Sequence, residues 1–263
     1  MSALEVIVGR AVNPGGTLTA VTMGSGGDSN TVRALNSGNA YLEGLWAHCA
    51  TAGALRVRSN RLHDAAQAIR YRVAAGVVRG LDPIETEQQL YSQDPLTIEI
   101  SGGGAETDSC ALMVYYDDLA GINARLATWD QIKPRIVNYL VQEVAISDPT
   151  TAGDWSAGNI INANFDTLKA GVDYAVLGYE VDTLCTAVAL RGSDTGNVKV
   201  GGPGCLEPTE TRDWFVRNSR WTGKPMIPIL NMANKLAISA FVCRNGTAST
   251  VNCGWTLAQL SSS

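Results

Sequence analysis

The sequence predicts a mainly β protein: two tandem β-sandwiches, jelly-roll-like, with short helical excursions. Three observations carry this. Apolar and polar residues alternate over short runs, as Leu96, Ile98 and Ile100 do within Pro95–Ser101, the two-residue period of a strand with one buried face. The composition is rich in turn formers, with 27 glycines, and its charged fraction of 17% is below the ~25% of ordinary soluble domains. The order of elements also recurs. Gly38-x-x-Tyr41 matches Gly171-x-x-Tyr174 at an offset of 133 residues, and the same offset pairs Ala54 with Ala187 and Arg58 with Arg191, which points to an ancient duplication. With 45% hydrophobic residues in 263, the chain can build two cores of roughly 120 residues each. The expected division is an N-terminal sandwich over 1–119, a connector over 120–134 and a C-terminal sandwich over 135–263.

In the first half, Leu4–Val8, Thr17–Met23, Ala40–Cys49 and Leu55–Arg58 read as strands. Leu62, Ala65, Ala66, Ile69 and Val73 then recur at three- and four-residue spacing, which predicts a helix over Leu62–Val73. Pro95–Ser101 and Cys110–Tyr116, joined through Gly102–Ala105, read as a hairpin. The connector carries a capping pattern, Thr128-x-x-Gln131. Arg135–Ile146 is ambiguous between helix and strand. In the second half, Val172–Asp182 and Cys185–Leu190 read as strands and Gly201-Gly202-Pro203-Gly204 as an irregular turn. Thr209–Trp221 reads as a helix stopped by Gly223. Met226–Leu230, Ile238–Cys243 and Val251–Leu257 complete the strands, with Asn245-Gly246 as the turn of a closing hairpin.

Little in the chain points to chemistry, and the reading is of a non-enzymatic protein with no catalytic residues, no cofactor and no metal. The two histidines, His48 and His63, lie in different elements, and no GxSxG is present. Asp117 and Asp118 are adjacent at a strand end, so their side chains point to opposite sides and do not pair for glycoside hydrolysis. None of the six cysteines forms a CxxC. Buried free thiols on strands explain them better than zinc or disulfides. No run approaches the ~18 apolar residues of a membrane-spanning helix, and the start of the chain lacks a secretory signal, so a soluble protein made in the cytoplasm is expected. The net charge is −5 and Met1–Gly9 has no Lys or Arg, so no basic arm is available to wrap a genome.

Charge is nevertheless segregated. Arg56, Arg58, Arg61, Arg70, Arg72 and Arg79 share one short segment with a single acid, Asp64, whereas Gly80–Ala124 carries nine acids and no Lys or Arg. Either the two blocks pair inside one fold, or they form complementary faces between neighbouring copies. The six arginines are therefore candidate inter-subunit contacts. Trp129, Trp155 and Trp221, in loops or connectors, are expected to be buried between chains.

Two tandem sandwiches, each with an excursion and a closing hairpin, span nearly the whole chain. This architecture resembles the double jelly-roll major capsid proteins of tailless, icosahedral, membrane-containing bacteriophages. The resemblance implies two jelly rolls side by side and a homotrimeric capsomer within a larger shell. It also implies a structural role in the virion alongside other virion proteins, without catalytic residues. The missing basic arm suits a shell around an internal membrane rather than sequence-specific nucleic acid. The alternative is a glycan-binding, lectin-like tandem β-sandwich on a surface.

Overall fold

The computed structural model describes residues 1–64, 67–77, 87–160, 168–181, 185–204, 208–246 and 249–261. The first ten strands are β1 (Ala3–Val12), β2 (Thr19–Ala20), β3 (Thr22–Met23), β4 (Leu35–Cys49), β5 (Gly53–Ser59), β6 (Ile69–Val73), β7 (Gly76–Val77), β8 (Gln88–Leu90), β9 (Leu96–Ser101) and β10 (Thr107–Leu119). β11 (Leu126–Ala127) and the short helix α1 (Trp129–Ile132) are followed by β12 (Ile136–Ser147), β13 (Asp154–Trp155), β14 (Asn159–Ile160), β15 (Asp173–Val181), β16 (Ala187–Arg191) and β17 (Val200–Pro203). Helices α2 (Pro208–Thr211) and α3 (Trp214–Thr222) then lead to β18 (Ile227–Asn231), β19 (Ser239–Arg244) and β20 (Thr250–Leu260).

These strands form four antiparallel sheets. The first sheet is ordered β3-β1-β10-β4-β7, with β8 also on β4, and the second β2-β9-β5-β6. The third is β13-β19-β16-β17, with β14 also on β19, and the fourth β11-β18-β15-β20-β12. If the principal strands of residues 3–119 are counted one to eight, with β7 and β8 sharing the sixth place, the first two sheets read 1-8-3-6 and 2-7-4-5. That is the strand order of a jelly roll. Counting β12, β13 with β14, and β15 to β20 in the same way gives the same two orders again. The chain is thus two tandem jelly-roll sandwiches. The residues matched at offset 133 fall on equivalent strands: Tyr41 on β4 and Tyr174 on β15, Ala54 on β5 and Ala187 on β16. Gly38 and Gly171 both turn with positive φ, 74° and 75°, a conformation glycine adopts without strain.

Packing explains which strands alternate and which do not. β1 lies against β9 on one side and against β13, β16 and β17 on the other. The first and third sheets therefore form the middle of a four-layer stack, with the second and fourth sheets outside. A strand covered on both faces has no polar side. Accordingly β1 is buried from Ala3 to Gly9, β10 from Asp108 to Tyr116, and β17 throughout. The second sheet and the edge strand β12 of the fourth keep one solvated face, so β5, β6, β9 and β12 alternate, whereas β15, packed against α2 and α3, is buried from Tyr174 to Tyr179.

Several expectations need correction. No helix covers Ile69–Val73: these residues form β6, because Ile69, Tyr71 and Val73 turn towards the core while Arg70 and Arg72 turn to solvent. Ala65 and Ala66 lie outside the described residues. The two expected hairpins are not hairpins. β9 and β10 belong to different sheets, as do β19 and β20, because the seventh and eighth strands of a jelly roll cross from one layer to the other. The glycine run at 201–204 is mostly strand β17, not an irregular turn. A Cβ on Gly201 would sit 1.8 Å from Val188 O, and one on Gly202 would sit 2.3 Å from Trp214 Nε1, so the glycines are there for close packing. The capping box is present as read, Thr128 with Gln131. The second-half helix ends where Gly223 enters the left-handed region at φ 72°. The ambiguous Arg135–Ile146 lies, from Ile136 on, in the long strand β12. Among the described residues no helix is long and apolar enough to cross a membrane.

Candidate functional site

Two features stand out from the folded chain: a polar seam between the sandwiches and an arginine-bearing outer face. The seam lies where the first sheet meets the third. There Lys199, on the approach to β17, and Asp28, in the loop after β3, form an ion pair at 2.6 Å with side chains only 3% and 2% exposed. Asp28 Oδ2 also accepts from Val8 N and from Trp155 Nε1, each at 2.7 Å. Lys199 Nζ donates to Ser25 O at 2.9 Å and lies 5.2 Å from the centroid of the Trp155 ring. Burial pushes the Asp28 carboxyl above its ordinary range, and Lys199 pulls against that.

A second clasp joins the halves through Glu43. Leu42 pairs with Val114 and Gly44 with Met113, so Glu43 is the extra residue of a β-bulge, a device that re-aims a side chain. Fully buried, Glu43 meets Lys224 Nζ at 2.5 Å, and Lys224 lies 3.6 Å above the Tyr41 ring. Burial raises the Glu43 carboxyl, and the Lys224 hydrogen bond opposes that. A third, uncharged contact links Ser109 Oγ with Thr186 Oγ1 at 2.6 Å, and Ser109 donates to Asn245 Oδ1 at 2.7 Å. Trp46 Nε1 donates to Thr186 O. Trp155, expected between chains, is spent in this seam at 3% exposure. Trp221 remains exposed on α3.

The structure brings four of the six candidate arginines together. Arg56 and Arg58 project outward from β5, and Arg70 and Arg72 from β6, on the solvent face of the second sheet. Arg56 and Arg70 are direct cross-strand partners, an arrangement of like charges that destabilises a sheet. Glu99, the neighbour of Arg56 on β9, partly offsets this, with Arg56 Nε donating to Oε2 at 2.6 Å. Arg61 stands apart in the turn after β5, its guanidinium 5.7 Å from the Tyr91 ring. Arg79 lies outside the described residues. Arg56–Glu99 is an ion pair between the arginine block and the acidic block. Other acids of the block have different partners. Asp94 accepts from Ser59, Asp108 from Ala50 N and Asp117 from Asn39 N. Asp118 meets the N-terminal ammonium, which holds its carboxyl below the usual range.

The other residues weighed for chemistry are structural in position. His63 Nδ1 accepts from Ser59 N at 3.1 Å, and burial holds the His48 imidazole below its ordinary value. Cys49 and Cys110 are buried free thiols pushed up to about 12 by desolvation. Cys205 lies outside the described residues. Among the described residues no group of His, Cys, Asp or Glu is arranged to hold a metal. An open groove of about 450 Å³ at the Ile136 end of β12 is lined by Arg135, Val137, Lys169, Asp173, Asn231 and Gln259.

Sequence reasoning missed the seam. Its signals were a lysine between the valines of Val198-Lys199-Val200 and a glutamate in the apolar run Ala40–Trp46. Each is a charge where a buried strand should have none. Fold and seam together define a two-lobed all-β protein of tandem jelly rolls joined by buried ion pairs. No protein-family model matches the chain, and no curated protein matches it in sequence. Among solved structures it is similar to the PBSX exported protein XepA, at 12% identity over 94% of this chain and 88% of that one, with a TM-score of 0.23.

Proposed function

We propose that this chain is a structural virion protein, a major capsid subunit that self-assembles into an icosahedral shell and performs no catalysis. One observation carries the reading: the jelly-roll strand order occurs twice in one chain. The jelly roll is an architecture of viral capsid and lectin domains. The buried clasps at Asp28 and Glu43 favour a subunit that acts as one rigid body, with its domains divided at the 120–134 connector. In this reading the chain works in the virion and its main partner is itself, as a trimer. Other virion proteins and an internal membrane are further neighbours. The arginines Arg56, Arg58, Arg61, Arg70 and Arg72 face a neighbouring copy.

Negative-stain microscopy of purified protein tests this, with capsomers or closed shells as the expected result. A monodisperse monomer at all concentrations, or selective glycan binding on an array, would replace this reading with the lectin-like one. Raised salt is expected to weaken assembly, because exposed ion pairs are screened over ~10 Å at 0.1 M.

A further inference from the structure

The stack has two unlike ends. At one, the outer face of the second sheet carries Arg56, Arg58, Arg70 and Arg72, with Arg70 and Arg72 exposed. At the other, the fourth sheet presents the outward side of β12, where Val137, Tyr139 and Val141 follow one another at alternate positions and are 62%, 58% and 54% exposed. The inward residues of the same strand, Val144 and Ile146, are buried. An apolar stripe turned to solvent on a strand that has an inner face for its apolar residues is unusual for a soluble surface.

From this we infer that the arginine face of one copy packs on the β12 stripe of the next, head to tail. The inference rests on the self-assembly reading and names the two surfaces that meet. Two arguments select a second copy as the occupant. The first is charge. A chain of net charge −5 that gathers Arg58, Arg70 and Arg72 on one face, beside the paired Arg56 and Glu99, is more negative elsewhere than its total. A second copy is therefore attracted, whereas arginine face against arginine face is repelled. The chemistry fits as well: guanidinium planes stack on a tyrosine ring, their alkyl stems cover valines, and Arg with Tyr is the pairing enriched at interface centres. The second argument is area. Three half-exposed side chains offer on the order of 300 Å², short of the ~800 Å² per partner of a stable pairwise interface. Such a contact holds when every chain uses both faces at once, as in a closed ring. A heterologous contact makes rings when its rotation closes.

A charge-swap series tests the contact, with folding followed by circular dichroism and mass by light scattering. Val141→Arg sets a cation against the arginine face, so the oligomer should fall to monomer. Arg70→Glu with Arg72→Glu should weaken it at moderate salt. The combination of Val141→Arg with both glutamates should restore it, because each face is then matched again. An oligomer untouched by Val141→Arg, or a combination no better than Val141→Arg alone, overturns the inference. So does a wild-type chain that is monomeric throughout. Binding to phosphatidylglycerol vesicles that is lost in the double glutamate variant while the oligomer persists would also overturn it, assigning the face to lipid. The two readings fail separately. Shells indifferent to Val141→Arg sink the contact and leave the capsid reading standing. Rings that obey the swap but never form shells do the reverse.

Discussion

Substitution of Lys199 by methionine isolates the seam. The methionine fills similar space and removes the cation. Asp28 is then left 2% exposed with only neutral donors, Val8 N and Trp155 Nε1, at 2.7 Å. Breaking a buried pair in this way costs about 3–5 kcal/mol, because the remaining charge is stranded. At ~2–4 °C per kcal/mol for a chain of this size, Lys199→Met should melt roughly 10 °C below the wild type at neutral pH. The pH dependence has a definite sign. Burial already raises the Asp28 carboxyl, and loss of Lys199 removes the largest influence that lowers it. A carboxylate whose folded value lies above its unfolded value makes folding less favourable at pH above the folded value. That deficit shrinks as pH falls towards the unfolded ~3.9. The gap between Lys199→Met and wild type should therefore narrow on acidification. Replacing both partners, Lys199→Met with Asp28→Leu, removes the stranded charge and should recover most of the loss. Calorimetry of the four proteins at neutral and mildly acidic pH is the assay. A Lys199→Met melting temperature within about 2 °C of wild type, or a double variant no more stable than the single, would refute the argument that the pair is dry and mutually dependent.

Gly201→Ala should cost at least about 3 kcal/mol, since its Cβ would lie 1.8 Å from the Val188 carbonyl oxygen and backbone cannot move aside cheaply. Urea unfolding measures this, and a loss under 1 kcal/mol would contradict it. Cys49, Cys110 and Cys243 are buried, with thiols raised by desolvation. They should resist a thiol reagent in the native protein and react at once in denaturant. Asp173 accepts from both terminal nitrogens of Arg125 at 2.9 and 2.6 Å, which holds its carboxyl below the usual range. Its contribution is present above the unfolded ~3.9 and is lost as pH falls through the folded value. Asp173→Asn should accordingly lower the melting temperature at neutral pH and make progressively less difference in acid.

Much of the strand content was legible because strands write their burial into the sequence. Leu96, Ile98 and Ile100 alternate since β9 lies in an outer layer, and Ala111–Tyr116 runs unbroken since β10 lies in a middle one. The misreadings have physical causes. Pro95–Ser101 and Cys110–Tyr116 looked like a hairpin because a glycine turn specifies a reversal of direction, not whether the returning strand stays in the same sheet. Arg135–Ile146 was ambiguous because Val137, Tyr139 and Val141 put apolar residues on the solvent side of β12, which erases the period of two. The arginine cluster was visible as charge in the sequence. That Arg56, Arg58, Arg70 and Arg72 share a face followed only once residues 69–73 proved to be a strand, since a helix would have scattered them.

The seam was the least legible part, and the reason bears on its role. Two sheets that meet through alanine, valine and leucine can pack in several registers of similar energy, because apolar contacts are non-directional. A buried lysine changes that. Lys199 reaches Asp28, Ser25 O and Gly26 O in the observed register. A slide of one residue pair along the strands would separate charges that have no access to water, at a cost of several kcal/mol. Glu43 imposes the same demand from a different strand, through Lys224. Two such pairs on strands β4 and β17 and the loops beside them fix both translation and rotation of one sandwich on the other. Neither pair need add net stability to do so, because each penalises the alternatives more than it favours the native arrangement. A local reading of sequence registers only that a charge stands in an apolar run. The partner that makes it tolerable lies 171 residues away for Lys199 and 181 for Glu43.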